Sequence, residues 1–328
     1  MTTTTSTEPG FKPVAVDLNG ADGGPDLVAE GARLAGTPVS LFGGAEITND
    51  EDPAMAARSK TDASVVRAAK AVGVGEADAL ISAGATGALL AAALFHVKRI
   101  KGVHRPAIAV LVPLPGKPVL LLDAGANVDV RPEHLVQFAY MGAAFMEVVH
   151  GVARPRVGLL SIGEEAKKGT DDVVAAHAQL AGGPLDFAGN VEGTDLTAGA
   201  VDVVVTDGFT GNVALKLMEG TAKTVAGAVR DAVRSGVVSS LGGLLIRGRL
   251  AGLREQLDPN TTGGAILLGV RRPVVVAHGK SSAEGIANGV RLARRAADEN
   301  MVERTAAALA DSGTLRSAPA ASFAASHD

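Results

Sequence analysis

The chain contains 328 residues, and its 47% hydrophobic and 20% charged residues are typical of a folded, soluble protein rather than a disordered one. Aromatic residues make up 3% and the net charge is −4, so neither base-stacking platforms nor an overall basic surface supports nucleic-acid binding. The absence of cysteine excludes disulfides, thiolate nucleophiles and cysteine-ligated metals, and it fits a cytoplasmic protein.

Both ends of the chain are polar, and we expect both to be tails. Residues 1–11 are rich in Thr and lack the basic and apolar regions of a secretory signal, so they predict a disordered N-terminal tail. Residues 301–328 are expected to contain the end of a C-terminal helix and a flexible tail. No window approaches the ~18 apolar residues of a membrane span, so any membrane contact would be peripheral.

Between the tails, residues 12–300 alternate between short apolar runs and Ala-rich helical stretches. This alternation predicts one three-layer α/β domain, a mostly parallel sheet with helices on both faces. The predicted strands are residues 14–18, 39–42, 79–82, 107–112, 119–123, 157–162, 201–206 and 274–277. The predicted helices are residues 25–35, 64–72, 132–150, 171–180, 211–234 and 283–298.

Residues 234–254 interrupt this alternation. Apolar residues fall there at helical spacing between glycines, namely Val237, Val238, Leu241, Leu244 and Leu245. Arginines flank them at positions 230, 234, 247, 249 and 254. Two interpretations stay open, a core helix or a protruding helical segment used for dimer contact or for touching a membrane.

Six loops of small residues follow predicted strands, where open α/β sheets place their ligands. They are residues 82–88, 123–129, 161–170, 189–193, 207–212 and 278–282. Glycine in such loops permits positive φ and lets backbone N–H groups approach an anion. Each loop alone could be an ordinary tight turn, but together they predict one anion-binding edge of the sheet.

The 207–212 loop leads into the longest predicted helix, whose N-terminal dipole and free N–H groups would attract an oxyanion. We therefore expect it to be the phosphate cradle. Lys168 is expected to complete the anion site with a positive charge, although a solvated charge run is the competing interpretation. Asn127, Asn190 and Asn212 either tolerate unusual turn angles or donate to a developing oxyanion.

Metal and nucleotide motifs are not found. None of the seven histidines belongs to an HExxH motif, so a metal site is unsupported. His134 and His278 could each orient phosphate or hold a turn together. The chain also lacks a complete GxGxxG fingerprint, a GxxxxGK[ST] loop and a GxSxG elbow.

At these loops the chain strongly resembles the PlsX phosphate acyltransferases. The stretches that carry the resemblance include SAGATGALLAA, KGVHRPAIA, LLDAGANVDVRPEHLVQFAYMGAAF, RVGLLSIGEEAKKGT, FAGNVEG, VDVVVTDGFTGNVALKLMEG, GGAILLGV and HGKSSAEGIANGVRLA. They run in family order from Val14 to Ala296.

The resemblance implies a fold related to isocitrate dehydrogenase and phosphotransacetylase, a homodimer, and no metal or organic cofactor. It implies an enzyme that moves a fatty acyl group from acyl carrier protein to inorganic phosphate. The acyl phosphate would serve a membrane glycerol-3-phosphate acyltransferase in phosphatidic acid and phospholipid synthesis, so the protein would be cytoplasmic and bind the inner face of the membrane peripherally. In the family, the segment equivalent to residues 234–254 belongs to protruding helices at the dimer.

Two features depart from the family pattern. The first motif, usually like AMGGD, is Leu18-Asn19-Gly20-Ala21-Asp22 here, and Ala85 replaces the Asn of AGNTGA. The stretch between Phe42 and Ala54 is about twenty residues shorter than in the family. These departures bear on turnover and acyl-chain preference.

Our hypothesis for the mechanism is attack of bound phosphate on the thioester carbonyl without a covalent enzyme intermediate. Asn127 and Asn212 would donate to the oxyanion, while Glu192 and Asp207 would orient donors and hold Lys168. The expected catalytic residues are Lys168, Asn190, Asp207 and Asn212. The expected substrate-binding residues are Ser82, Gly84, Thr86, Gly87, Asn127, His134, Glu192, Gly208, Gly211 and His278.

Acyl carrier protein is acidic, so its dock should be basic. The candidates are Lys98, Arg99, Lys101, Arg105 and the arginines around Arg247. Three alternatives to the main hypothesis stay open: a phosphotransacetylase that uses acyl-CoA, a dehydrogenase of the related fold, and a degenerate, non-catalytic scaffold for acyl carrier protein or membrane.

Overall fold

The computed structural model describes residues 11–114, 117–256 and 261–315, without the side chains of residues 249–256. Residues 1–10 and 316–328 of the two predicted end segments therefore lie outside the described residues, and residues 11 and 301–315 are described. Arg249 and Arg254 are likewise outside the described side chains.

A single ten-stranded sheet organises the fold. Its strands are β1 (Val14–Asp17), β2 (Val39–Phe42), β3 (Ala79–Ser82), β4 (Ala107–Val112), β5 (Val119–Leu122), β6 (Val157–Leu160), β7 (Phe187–Val191), β8 (Val203–Val205), β9 (Ala265–Leu268) and β10 (Val274–Val276). Their order in the sheet is β2-β1-β3-β10-β9-β4-β5-β8-β6-β7. The sheet is mostly parallel, as predicted, and its central strands are almost entirely apolar because both faces are covered.

The strand directions reverse in the middle of the sheet. The strands β2, β1, β3 and β10 are parallel to one another, and so are β5, β8, β6 and β7. Three successive antiparallel pairings, β10 with β9, β9 with β4, and β4 with β5, separate the two groups. An odd number of reversals makes the two parallel groups run in opposite directions. Their carboxyl ends consequently lie at opposite edges of the sheet.

This reversal corrects one expectation. The six small-residue loops do not all leave one edge: those after β3 and β10 lie at one edge, and those after β5, β6, β7 and β8 lie at the other. The four loops on the second edge follow neighbouring strands, in the order β5, β8, β6, β7.

Helices cover both faces of the sheet. They are α1 (Gly24–Leu34), α2 (Pro53–Ser59), α3 (Ser64–Gly73), α4 (Thr86–Ala92), α5 (Pro132–His150), α6 (Asp171–Ala181), α7 (Gly193–Ala198), α8 (Gly208–Arg234), α9 (Val237–Gln256), α10 (Ala283–Asp298) and α11 (Met301–Asp311). A π-helical turn, Ala93–Val97, follows α4 directly. Side-chain caps begin several helices, as Thr170 does for α6 and Ser282 does for α10.

The two faces are packed differently. One face carries a single core cluster, in which α1, α5, α6, α10 and α11 lie over the strands. The other face carries two clusters, one under α2, α3 and α4 and one under α7 and the start of α8. Leu215 of α8 packs against both of these clusters, so α8 lies at the seam between them.

The helices α8 and α9 form a hairpin that extends from the domain. Within α8 only Gly208 and Gly211 are buried, and the main tertiary neighbour of its outer part is α9. Apolar side chains on the hairpin are exposed, including Val237 at 80%, Val238 at 85% and Leu245 at 87%. Residues 234–254 therefore protrude and do not form a core helix, while their use for dimer contact or for touching a membrane stays a prediction.

Candidate functional site

The loop after β5, residues 123–129, is built around one buried carboxylate. Asp123 is fully buried and accepts backbone N–H bonds from Ile108, Gly125 and Ala126 at 3.0–3.1 Å through Oδ1. Its Oδ2 accepts from the backbone and the side-chain amide of Asn127, at 2.8 and 2.7 Å. Burial raises the pKa of Asp123, and these donors oppose that effect by stabilising the ionised form.

The amide of Asn127 is fully used inside the protein. Its Nδ2 donates to the Pro106 carbonyl at 2.8 Å and to Asp123 at 2.7 Å, and the side chain is 7% exposed. An amide has only two N–H donors, so none is left for a substrate. The expectation that Asn127 donates to an oxyanion is wrong, because the loop itself needs both of its hydrogens.

The N-terminus of α8 also differs from the predicted cradle. Two of the three N–H groups of residues 208–210 have acceptors. The Gly208 N–H donates to the Asn127 carbonyl at 2.7 Å, and the Thr210 N–H donates to Asp207 Oδ1 at 2.8 Å. The carboxylate of Asp207 therefore caps the helix and takes the place that an oxyanion would occupy. The Phe209 N–H is the one group of the three that has no acceptor among the described residues.

The glycines of α8 serve packing. A Cβ atom on Gly211 would lie 1.9 Å from the carbonyl oxygen of Asp123, and one on Gly208 would lie 2.7 Å from that of Asn127. Both glycines let α8 press against the 123–129 loop, and the interpretation that they open the backbone to phosphate is wrong for these two positions.

Lys168 lies on the loop after β6, and Asn190 on β7 holds that loop. Asn190 is 5% exposed, and its Nδ2 donates to the carbonyls of Glu165 at 2.8 Å and Lys168 at 3.4 Å. The Ser161 hydroxyl donates to the Lys168 carbonyl at 2.9 Å. Asn190 therefore fixes the backbone that carries Lys168, and both of its amide hydrogens are used.

The expected carboxylate partners of Lys168 are not its partners. Glu192 begins α7, where its backbone N–H donates to Asp195 at 2.8 Å, and Asp207 caps α8. Among the described side chains, neither forms an ion pair with Lys168. Hydrogen bonds to the backbone of the loop position Lys168 instead.

Lys168 and Asn212 keep free polar groups. Both side chains are exposed, and neither has a hydrogen-bond partner in the described part of the chain. They follow β6 and β8, which are neighbours in the sheet and end at the same edge. A flexible ammonium group on the loop after β6 and an amide donor near the start of α8 are thus available at the same edge of the sheet, a combination that can bind an anion and stabilise a developing oxyanion.

The predicted residues that follow β3 and β10 lie at the opposite edge. Ser82 is 1% exposed and donates to Asp17 at 2.6 Å while it accepts from the Gly84 N–H at 3.0 Å. Gly87 allows α4 to pack on Pro53, where a Cβ atom would lie 2.8 Å from the proline ring. Thr86 is exposed at the start of α4.

His278, at the same edge, is exposed and accepts the Lys280 N–H through Nδ1 at 3.1 Å. Ser82 and His278 therefore hold their own turns, which was the alternative interpretation for His278.

A basic cleft lies beside the 123–129 loop. Its volume is about 940 Å³, and Asp129, Val130 and Arg131 line it directly after the loop's buried part. Its cationic or titratable lining residues are Lys98, Arg99, Lys101, His104, Arg105, Arg131 and His134. The Pro106 carbonyl, which Asn127 binds, follows this basic run directly.

Three possible metal ligands lie close together, and two of them, His104 and His134, line this cleft. His104, Glu133 and His134 each offer an atom within 4.8 Å of the others. However, the Arg131 N–H donates to Nδ1 of His134 at 3.1 Å, which places the proton of the neutral ring on Nε2. Neither ring nitrogen of His134 then has a lone pair free for a metal. Burial lowers the pKa of His134, and the nearby His104, Arg105 and Arg131 lower it further against an opposing effect of Glu133.

Sequence reasoning missed Asp123 as the residue that organises the site. The sequence did contain a signal for this role, because Asp123 ends an apolar strand and precedes a glycine. A carboxylate that is buried there needs hydrogen-bond donors. Arg131 was also missed, although it follows the same loop and directly precedes the proline that begins α5.

Comparison with known proteins identifies relatives along nearly the whole chain. Residues 43–304 match a family model described as "Fatty acid synthesis protein". The chain is 44% identical to a phosphate acyltransferase of Anaeromyxobacter dehalogenans (strain 2CP-C), over 94% of this chain and 93% of that protein. It is 43% identical to a phosphate acyltransferase of Anoxybacillus flavithermus (strain DSM 21510 / WK1), over 91% of this chain and 98% of that protein.

The first of these alignments spans 337 positions, more than the 328 residues of this chain, so the relative has residues that this chain lacks. That agrees with a shortened segment.

Solved structures share the fold at low identity. A branched-chain phosphotransacylase from Enterococcus faecalis V583 has a TM-score of 0.52 and 18% identity, over 88% of this chain and 99% of that chain. The EutD phosphotransacetylase from Staphylococcus aureus has a TM-score of 0.51 and 16% identity, over 88% of this chain and 94% of that chain. Within the described residues, no helix combines the length and the apolarity needed to cross a bilayer.

Proposed function

This chain belongs to the phosphate acyltransferase family, and from that membership we propose that it transfers a fatty acyl group from acyl carrier protein to inorganic phosphate. The product, an acyl phosphate, would enter phosphatidic acid synthesis. The observation that supports the site is that Lys168 and Asn212 both keep free polar groups and follow β6 and β8, which are neighbouring strands.

In this mechanism, Lys168 binds the acceptor phosphate. A phosphate oxygen attacks the carbonyl carbon of the thioester, a C–O bond forms, and the carbonyl oxygen gains negative charge. The amide of Asn212 donates to that oxygen. The C–S bond then breaks, and the carrier protein leaves as a thiolate that takes a proton from water.

No covalent enzyme intermediate is needed for this reaction. Phosphate is already anionic at neutral pH, so the protein has to position it and to stabilise charge. The chain has no cysteine that could form a thioester with the acyl group.

The other predicted catalytic residues have positioning roles in this proposal. Asn190 holds the loop of Lys168, and Asp207 caps α8 and thereby presents Asn212. Asn127, Gly208 and Gly211 hold the 123–129 loop against α8.

For the residues at the opposite edge, substrate binding stays a prediction. Thr86 is exposed at the start of α4, and α4 covers the same face of the sheet as α8. A donor with a long acyl chain that lies across the seam between the two core clusters of this face could reach both edges of the sheet. His278 and the backbone around Gly84 belong to the same prediction.

We also propose that the protein forms a homodimer and touches the inner face of the membrane, where a glycerol-3-phosphate acyltransferase would take the product. The exposed apolar side chains of the α8–α9 hairpin support a contact of this kind.

The direct experiment mixes the protein with long-chain acyl carrier protein and follows acyl phosphate formation and free thiol. We expect both products in equal amounts and only when phosphate is present. Faster turnover of the matching acyl-CoA would favour a phosphotransacetylase, and carrier-protein binding without thiol release would favour a non-catalytic scaffold. Either result would overturn the proposal.

A further inference from the structure

The basic cleft beside the 123–129 loop has no role in the mechanism above, and its five Lys and Arg side chains outnumber Asp129, the carboxylate among its lining residues. Among the described residues, Lys98, Lys101 and Arg105 have no carboxylate partner, and Arg131 has only a 4.0 Å contact with Glu133. Such a concentration of cations is unusual on a chain whose net charge is −4. A cleft of one charge attracts ligands of the opposite charge.

His134 adds a directed donor to this cleft. Its side chain is 8% exposed, and the Arg131 N–H occupies Nδ1, so Nε2 carries the proton. No described residue accepts a hydrogen bond from Nε2. Because the ring lines the cleft, this N–H is available to an acceptor that enters it.

These features favour an anion over a metal ion. The side chains of His104, Glu133 and His134 are close enough to suggest a metal site. However, the free ring nitrogen of His134, Nε2, carries a proton and donates a hydrogen bond, so it offers no lone pair to a metal. Lys98, Arg105 and Arg131 would also repel a divalent cation.

The basic loop is held in a fixed shape. The side chain of Gln137, on α5, accepts the His104 N–H at 2.8 Å and donates to the Gly102 carbonyl at 3.1 Å. The Arg271 N–H donates to the Lys98 carbonyl at 2.9 Å. A preorganised set of cations loses less entropy when it binds a ligand.

The cleft is close to the proposed reaction site but separate from it. Asn127 contacts Gly208 at the start of α8, and Arg131 lines the cleft four residues further along the chain. Four residues span at most about 14 Å. One ligand can therefore reach both places if it carries an anionic group along its length.

We propose that this cleft binds the phosphate group of the phosphopantetheine arm that carries the acyl thioester, as a second anion site distinct from the site of the acceptor phosphate. The inference rests on the proposed function, because the arm belongs to the acyl donor. Carrier protein and coenzyme A both present this phosphate, so the cleft recognises a feature that the two donors share.

The test compares two small donors with the same acyl chain, acyl phosphopantetheine and acyl pantetheine, which lacks the phosphate. We expect the wild-type protein to show a KM about 10-fold or more lower for the phosphorylated donor, the size expected for charge-assisted hydrogen bonds. In Arg105→Gln this preference should fall to near one, while the KM for inorganic phosphate stays at its wild-type value. Arg33→Gln, on the exposed face of α1, is the matched control and should keep the preference.

Several results would overturn the proposal: equal KM values for the two donors with the wild-type protein, or a raised KM for inorganic phosphate in Arg105→Gln. A third is weaker binding of Arg105→Gln to vesicles of anionic lipid with an unchanged donor preference. Tight zinc binding that His104→Ala abolishes would also overturn it, because the cleft would then be a metal site.

A protein that turns over no donor would contradict the proposed function but would still allow a test of the cleft. Calorimetric titration with phosphopantetheine should then show binding that Arg105→Gln weakens about 10-fold. No binding, or equal binding by the variant, would remove the inference.

Discussion

At the scale of single residues, Asp123 is the most consequential side chain near the site. Asp123→Asn would place an N–H donor against backbone N–H donors in a fully buried position. We expect it to lower the free energy of unfolding by about 3 kcal/mol, the cost of buried groups left without partners. Urea unfolding measures this loss.

The control for Asp123 is Asp129→Asn in the same loop, whose side chain is exposed. It should unfold at the wild-type urea concentration. A wild-type midpoint for Asp123→Asn would show that the buried carboxylate does not organise the loop.

His150 gives a pH-dependent prediction. Burial lowers its pKa and Arg295 lowers it further, and its Nε2 is buried without a partner among the described residues. As pH falls below about 6.5, the unfolded chain binds a proton first, so stability is lost between that pH and the lower folded pKa. His150→Leu should therefore lose less stability than the wild type between pH 7.5 and pH 5.5.

Urea midpoints at the two pH values measure this difference, with His278→Gln on an exposed loop as the control. An equal loss of stability in His150→Leu and in the wild type would refute the linkage.

Much of the residue-level chemistry could not be predicted from sequence, because it depends on which partners a polar group finds. The sequence marks Asn127, Asn190 and Asn212 alike, as amides beside glycines. The fold uses the first for its own loop, the second to hold the loop of Lys168, and leaves only the third free. Hydrogen-bond partners far apart in sequence made that distinction.

At the scale of elements, α4 begins without a side-chain cap. Ala85 occupies its N-cap position with φ −56° and ψ 117°, a conformation that suits a capping side chain. Ala85→Asn should stabilise the protein by about 1 kcal/mol, because the amide oxygen can accept a free N–H of the first turn. Thermal unfolding measures the change.

The control is Thr86→Asn, one position further along, which cannot cap the helix in the same way. If Ala85→Asn proves no more stable than the wild type, the N–H groups in the first turn of α4 already have other hydrogen-bond acceptors.

Apolar runs made most strands predictable, but β7 and β9 were missed. β7 includes a glycine and an asparagine and lies at the edge of the sheet, and β9 has four residues. α4 was interpreted as part of a loop because its sequence starts with Thr-Gly. The start of α8 lies at Gly208 rather than residue 211, since Asp207 caps it.

At the scale of the whole molecule, the direction of the strands decides which loops can meet. The sequence predicts a mostly parallel sheet, and that is confirmed, but the predicted common edge required every strand to run the same way. The reversal depends on β9, which the sequence did not reveal, and on its pairing with β4. Pairings between segments so far apart in the chain have no local signature.

The α8–α9 hairpin predicts how the molecule assembles. Leu241 and Leu245 are 60% and 87% exposed on it. We expect Leu241→Glu with Leu245→Glu to shift the protein from dimer toward monomer, because charges would enter an apolar contact. Val74→Glu, at an apolar residue that is 73% exposed elsewhere, is the matched control. Sedimentation velocity distinguishes the species, and a double variant that stays dimeric would place the contact elsewhere.

The proposed mechanism depends on Lys168 as the charge that binds the acceptor phosphate. The most direct test is the phosphate dependence of single-turnover acyl transfer by Lys168→Ala compared with the wild type. We predict that the variant needs at least 10-fold more phosphate to reach half its maximal rate, since a charge-assisted contact is lost. An unchanged phosphate dependence would contradict the proposed site.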